Sequence, residues 1–290
     1  VMLISFPVEK RGQAMGMFGL VMVLAPAIGP TLSGWIVEHY DWSVLFKMIL
    51  PIAVLSLLLA VWKLEDVLPN RDAKIDILSI GLSTIGFGGL LYGFSTASSA
   101  GWSAIEVWGT IAAGAIGLAW FIVRQFNLEQ PLLDLRIYTY PSYALASVVS
   151  MVLSVAMFSG MILTPAYVQN VRGIAPFEAG LMMLPGAIIM GIMSPITGKL
   201  FDRFGPRILA VIGLTITTLA TVGLGYLDID SSYLYIISVY TIRMFGISMV
   251  MMPIMTNGLN ALPNRLNPHG TAMNNTAQQV AGAIGTAVLV

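Results

Sequence analysis

The sequence contains no cysteine. That excludes a disulfide framework, a thiolate metal site and a thiol nucleophile. Charge is nearly as scarce. The 14 Lys plus Arg and 14 Asp plus Glu make up 10% of 290 residues, against roughly a quarter in an ordinary soluble domain. So few charges would leave a water-exposed surface of this size covered in apolar patches, which excludes a soluble globular enzyme. The formal net charge is +0 and no basic block occurs, which argues against a nucleic-acid binder. The apolar content excludes a disordered segment. No Gly-x-x-x-x-Gly-Lys-Ser/Thr phosphate loop occurs, which argues against an ATP-driven pump on this chain and against a nucleotide partner.

What the sequence has is apolar length. Hydrophobic residues are 57% of the total and the mean hydropathy is +0.85. Apolar stretches cover 15–37, 44–62, 77–97, 105–124, 142–167, 179–198, 207–227, 232–256 and 271–290. Each is about 20 residues, enough for a helix to cross the ~30 Å of a bilayer core. A transmembrane β-barrel would instead show alternating segments of ~10 residues. The expectation is an all-α polytopic membrane protein with nine transmembrane helices. Residues 1–6 read as the tail of an earlier span, and the last span stops while still apolar, so a fragment of a longer protein is expected.

The basic residues set the orientation. Alternate loops hold Lys10 and Arg11; Lys63, Arg71 and Lys74; Arg124 and Arg136; Lys199, Arg203 and Arg207; and Arg265. The intervening loops hold Glu38, Asp41, Glu106, Glu178, Asp228 and Asp230, with Arg172 as their one basic residue. Eleven against one places the first set in the cytoplasm. A weak internal repeat points the same way. Pro7…Gly12-Gln13-Ala14-Met15…Ala27-Ile28-Gly29 is matched by Pro263…Gly270-Thr271-Ala272-Met273…Ala283-Ile284-Gly285, as two parallel repeats would give.

Two motifs carry chemistry. Gly198-Lys199-Leu200-Phe201-Asp202-Arg203-Phe204-Gly205-Pro206-Arg207 joins two spans. Gly198 would let helices approach, Gly205 would permit a tight turn, and Asp202 suits a helix N-terminus. Arg203 and Arg207 offer forked donors to carboxylates or phosphates. Within the first full span, Pro26, Gly29, Pro30 and Gly34 occur in Leu24-Ala25-Pro26-Ala27-Ile28-Gly29-Pro30-Thr31-Leu32-Ser33-Gly34-Trp35. The prolines bend the helix, and Gly29, Ser33 and Gly34 form a small face for close packing.

The first motif resembles the loop signature of the major facilitator superfamily, in which it acts as a charge-relay latch of the inward gate. The second resembles that superfamily's antiporter signature, with Ser33 where a Gly is usual, and points to export. Asp41-Trp42, Ile75-Asp76-Ile77, Gly101-Trp102 and Glu129-Gln130-Pro131-Leu132-Leu133-Asp134-Leu135 follow in the order seen in the fourteen-span EmrB/QacA-type drug–proton antiporters. The resemblance covers essentially the whole chain, as helices five to thirteen. It implies three parts: 1–64 the end of an N-terminal bundle, 65–140 a two-helix insert, and 141–290 a truncated C-terminal bundle.

Ionisable groups inside spans are costly and usually functional. Here only Lys47 and Arg243 qualify. Lys47 lies about one turn into its span and is expected to snorkel to the outer interface. Arg243, at mid-span, pairs either with a substrate or carboxylate in a cavity or with a neighbouring helix. Asn274, Gln278, Gly282 and Gly285 share one helical face, and the amides either line a pathway or bond to adjacent helices. No carboxylate lies deep in a span, and His39 and His269 fall in loops, so a coupling carboxylate is expected in other helices.

The expected function is secondary transport: a proton-coupled antiporter exporting small amphipathic drugs across the bacterial cytoplasmic membrane. No metal or cofactor is expected, the proton gradient being the energy source. The alternative on the same fold is export of a defined metabolite such as an amino acid or siderophore. An intramembrane enzyme would need a catalytic constellation within spans, and no His or Asp lies there; a non-transporting receptor would leave the antiporter signature without a purpose.

Overall fold

The computed structural model describes residue 29 and residues 31–63, 76–129 and 131–289. Among these residues there is no strand. Helix α1 runs over residues 31–39. It is followed by α2 (Ser43–Lys63), α3 (Ile77–Ala100), α4 (Ile105–Asn127), a short 3₁₀ turn (Leu135–Thr139), α5 (Pro141–Asn170), α6 (Pro176–Gly225) and α7 (Tyr233–Asn260), and, after a second 3₁₀ turn (Asn264–Leu266), by α8 (Asn267–Leu289). Six of these helices, α2 to α7, are long and apolar enough to cross a membrane. The expected span 15–37 lies outside the described residues as far as 28.

The boundaries follow from local chemistry. Asp76 caps α3, its Oδ1 accepting the Ser79 N–H at 3.3 Å, which satisfies one of the orphan donors of a helix start. Gly101 at φ 82° ends α3. Pro176 begins α6 at its first position, where its missing N–H costs nothing.

Helix α6 is the main departure from expectation. The sequence suggests two spans joined by a loop, whereas helix continues through Lys199–Phe204 and breaks only at Gly205, at φ 74° and ψ 172°. No residue between Gly198 and Gly205 is a strong helix breaker, so the charged turn stays helical until a glycine-only conformation interrupts it. Fifty residues at ~1.5 Å per residue far exceed one bilayer crossing. Replacing Gly205 with Ala is expected to cost about 1–3 kcal/mol, because a Cβ is strained at that φ and ψ. A thermal melt of Gly205→Ala unchanged from the parent would contradict this.

The described residues form two compact units, one within Val1–Ala73, Pro165–Gly205 and Val211–Met249, the other within Lys74–Thr164, Pro206–Ala210 and Val250–Val290. In the first, Val168, Ala179, Met182 and Ile236 make a buried cluster. Around it Tyr167 donates to the Asp228 carbonyl at 2.8 Å, Arg172 to Ser231 at 2.5 Å and Tyr233 to Glu178 at 3.0 Å. Helix α1 meets α6 closely: a Cβ on Gly34 would stand 2.5 Å from the Pro176 carbonyl oxygen, and Thr31 donates to the Gly180 carbonyl at 3.0 Å.

In the second unit, α3 and α4 pair along glycines. A Cβ on Gly114 would stand 2.6 Å from the Leu90 nitrogen, and one on Gly89 2.9 Å from the Gly114 Cα. Backbones this near gain van der Waals contact, which drives helix association in lipid where the hydrophobic effect does not. Trp108 donates from Nε1 to the Trp102 carbonyl at 2.7 Å in the connecting turn, an aromatic anchor suited to a membrane interface. Helix α8 packs on α3 and, through Gly282 against Phe158 and Gly285 against Val155, on α5.

Candidate functional site

Of the antiporter-type residues, Pro26 and Pro30 lie outside the described residues. Gly34 makes the close approach expected of it, while among the described residues no atom lies within 4 Å of the position a Cβ on Gly29 would take. In the loop motif, Lys199, Asp202, Arg203 and Arg207 are all exposed. The Arg203 guanidinium lies 5.3 Å from the centre of the Phe204 ring. The close helix contact expected at Gly198 is absent among the described residues, with nothing within 4 Å of a Cβ there. The turn expected at Gly205 is present. This leaves Asp202 in the last turn before the break, solvent-facing.

Arg243 is 2% exposed and lies near the middle of α7. Its Nε donates to the Thr221 hydroxyl of α6 at 3.1 Å. The two helices touch beside it, since a Cβ on Gly246 would stand 2.5 Å from Thr217 Oγ1 and 2.8 Å from the Gly213 carbonyl oxygen. One turn before Arg243, the Tyr240 ring packs over Gly186. A guanidinium is thus buried in a tightly packed seam, with a hydroxyl among its partners. Lys47 is exposed on α2, as most of that helix is.

Asn274 is buried at 4% exposure, and Gln278 is half-buried. Gly282 and Gly285, on the same face, pack against α5 within their unit. The α5 side carries a polar stripe that sequence reasoning missed: Ser147, Ser150 and Ser154 are all buried. Their spacing of three and four residues is the signal that would have found them. A groove of about 620 Å³ runs along the neighbouring face of α8, walled by Met273, Ala277 and Ile284 with Phe87, Tyr138 and Met151. Its wall is apolar, and neither Asn274 nor Gln278 lines it.

A polar cluster also ties the start of α3 to the end of α4. Asp76 receives Arg124 Nε at 2.9 Å and Nη2 at 3.1 Å, and the Ser79 hydroxyl at 2.6 Å. Arg124 first, and Ser79 after it, hold the Asp76 carboxyl far below the usual carboxylate range. A carboxylate depressed in the fold stabilises above its unfolded pKa, about 3.9, and loses that contribution only as pH falls through the folded value. Asp76→Asn is therefore expected to lower the melting temperature equally at about pH 7 and pH 5. A gap that already closes by pH 5 would contradict the pairing. Among the described residues no group of three or more His, Asp and Glu is placed to hold a metal ion.

Comparison with known proteins gives a consistent result. Residues 4–286 match the family profile described as Major Facilitator Superfamily. The chain is 50% identical over 290 residues to the uncharacterized MFS-type transporter YcnB of Bacillus subtilis, covering 100% of this chain and 61% of that protein. It is 46% identical over 288 residues to the lincomycin resistance protein LmrB of Listeria monocytogenes, covering 99% and 61%. It is 28% identical over 286 residues to the multidrug resistance protein Stp of Mycobacterium tuberculosis, covering 98% and 53%. The chain thus spans little more than half to three-fifths of the length of these relatives.

Proposed function

Because the chain belongs to the Major Facilitator Superfamily, we propose that it acts as part of a proton-coupled antiporter exporting small amphipathic drugs or other toxic compounds. It is a multi-pass protein of the bacterial cell membrane, with six described helices able to cross one and relatives among bacterial resistance transporters. The observation that carries the proposal is the 46% identity, over 99% of this chain, to a protein named for lincomycin resistance.

In finer detail, the chain supplies helices five to thirteen of a fourteen-span transporter, with nine crossings. The break at Gly205 supports counting α6 twice, and the 23 residues of α8 suffice by length alone for one crossing. The division into 1–64, 65–140 and 141–290 belongs to the same proposal. Alternating access then comes from rocking the two halves about a midplane site, with Gly198, Asp202, Arg203, Gly205 and Arg207 as the inward latch. Arg243 and the α8 amides Asn274 and Gln278 are the candidate pathway residues. The proton gradient supplies the energy, no nucleotide takes part, and the coupling carboxylate is contributed by helices outside these nine.

The test is expression of the full-length protein in a drug-sensitive host, with lincomycin resistance and ethidium efflux as readouts. Resistance or efflux supports drug export; absence of both favours the alternative, export of a specific metabolite. Asp202→Asn is expected to lower transport at least about tenfold, equivalent to ~1.4 kcal/mol, while membrane insertion stays normal. Full transport by that variant would remove the latch role.

A further inference from the structure

Tyr143, Ser147, Ser150, Ser154 and Phe158 follow one another along α5 at helical spacing and share one face. Contacts with α8 fix that face at two levels. Near the start of both helices the Tyr143 hydroxyl donates to the Gly270 carbonyl at 2.7 Å. Further along, the Phe158 ring lies where a Cβ on Gly282 would be. The order of these two contacts means that α5 and α8 run in the same direction. Ser147 and Asn274 each stand four residues past the Tyr143–Gly270 bond, or ~6 Å along the axis, and Ser150 stands one turn beyond Ser147.

These three polar side chains are almost wholly buried, Ser147 at 1%, Ser150 at 2% and Asn274 at 4% exposure. Yet the two hydroxyls and Asn274 Nδ2 have no hydrogen-bond partner among the described residues. Ser159 of the same helix shows the ordinary solution, donating to its own Val155 carbonyl at 2.6 Å; Ser147 and Ser150 do not take it. The phenols of Tyr138 and Tyr143 stand beside Ser147 without a direct bond to it. Unpaired polar groups are costly away from water and rare in native folds, so three within two turns call for one shared partner. A serine hydroxyl both gives and takes a hydrogen bond, whereas an amide nitrogen only gives one; the partner must therefore accept as well as donate. Helices α3 and α5 carry no charged residue, and α8 carries only His269, in its first turn. An ion would find no countercharge here. A small neutral molecule that both donates and accepts is water.

We propose that Ser147, Ser150 and Asn274 form a binding site for internal water between α5 and α8, with the Tyr138 and Tyr143 hydroxyls on its basic side. Three protein partners match the roughly three hydrogen bonds that a buried water makes. A seam joined through water can exchange its bonds as the helices shift, which a direct side-chain bond cannot do without breaking. The site requires neither substrate nor proton gradient, so it stands apart from the proposed transport activity.

In the full-length protein in nanodiscs, hydroxyl radicals made from water by a brief X-ray pulse mark the side chains next to that water, and peptide mass spectrometry locates the marks. Tyr143 and Phe121 are both fully buried aromatic side chains, but Phe121 packs against the Phe87 ring. Tyr143 is expected to be marked at least about fivefold faster than Phe121, because bound water lies beside it alone. The double substitution Ser147→Ala, Ser150→Ala removes two of the three partners and adds no bulk. It is expected to slow the marking of Tyr143 at least about threefold. Thermal melts read the same site by their sign. Removing an unpaired buried hydroxyl relieves a cost and raises the melting temperature, whereas removing one bonded to water lowers it. Ser150→Ala is expected to lower it by at least about 2 °C. Equally slow marking of Tyr143 and Phe121 overturns the proposal, as does marking of Tyr143 that survives the double substitution. A melting temperature in Ser150→Ala that is unchanged or raised overturns it too.

Discussion

Gly114→Ile is expected to prevent the α3/α4 hairpin from closing and to leave little folded protein. The position has no room, and what surrounds it cannot yield: the atoms nearest to a Cβ are the Leu90 nitrogen at 2.6 Å, the Gly89 carbonyl carbon at 2.9 Å and the Gly86 oxygen at 3.0 Å. All three belong to backbone. Overpacking among movable side chains costs about 1–3 kcal/mol; here the helices themselves must separate, so the loss lies at or above the top of that range. Separation would also remove the contacts of Gly86 with Leu118 and of Gly93 with Ile111, because all lie on one seam. Gly109→Ile is the matched control on the same helix. Among the described residues no atom lies within 4 Å of a Cβ there, and the change adds only exposed surface. Fluorescence-detected size exclusion of the two variants should show a normal monodisperse peak for Gly109→Ile and loss of that peak for Gly114→Ile. Equal recovery of both would mean that the glycine seam is not what holds the hairpin.

Arg243→Ala is expected to show the opposite pattern, with folding retained and transport lost. A charged side chain at the centre of a membrane helix costs about 2.5–3.5 kcal/mol on insertion scales. Removing it makes insertion easier, and one partner it leaves behind, the Thr221 hydroxyl, also donates to the Thr217 carbonyl at 2.7 Å and is not stranded. Yet a guanidinium at 2% exposure is a poor choice for a purely structural seam, where an aliphatic chain would pack at no electrostatic cost. On the proposed role the variant should insert normally and transport at least about a hundredfold more slowly, equivalent to ~2.7 kcal/mol. Arg243→Lys, which keeps the charge but not the fork, should fall between. An Arg243→Ala protein that misfolds would assign the residue to structure; one that transports normally would remove it from the pathway.

Much of the helical layout was legible because membrane helices advertise themselves by length. The stretch 77–97 became Ile77–Ala100 with Asp76 as its cap, and 44–62 became Ser43–Lys63. The charged turn before Gly205 was misjudged as loop, since polarity marks where a chain meets water but does not by itself break a helix. Side-chain partnerships were not legible. Asp76 and Arg124 are 48 residues apart, as are many residue pairs in the sequence, and nothing in their spacing selects them. The amide face of α8 was identified from periodicity, yet periodicity cannot say whether a face meets a cavity or another helix. Within its unit, Asn274 is buried and Gly282 packs on Phe158.

Proton-coupled export is most directly tested in everted membrane vesicles bearing the full-length protein, by following ethidium transport with and without a protonophore. The account predicts uptake into the vesicles that collapses when the protonophore is added. Uptake that continues undiminished after the proton gradient is gone would contradict it.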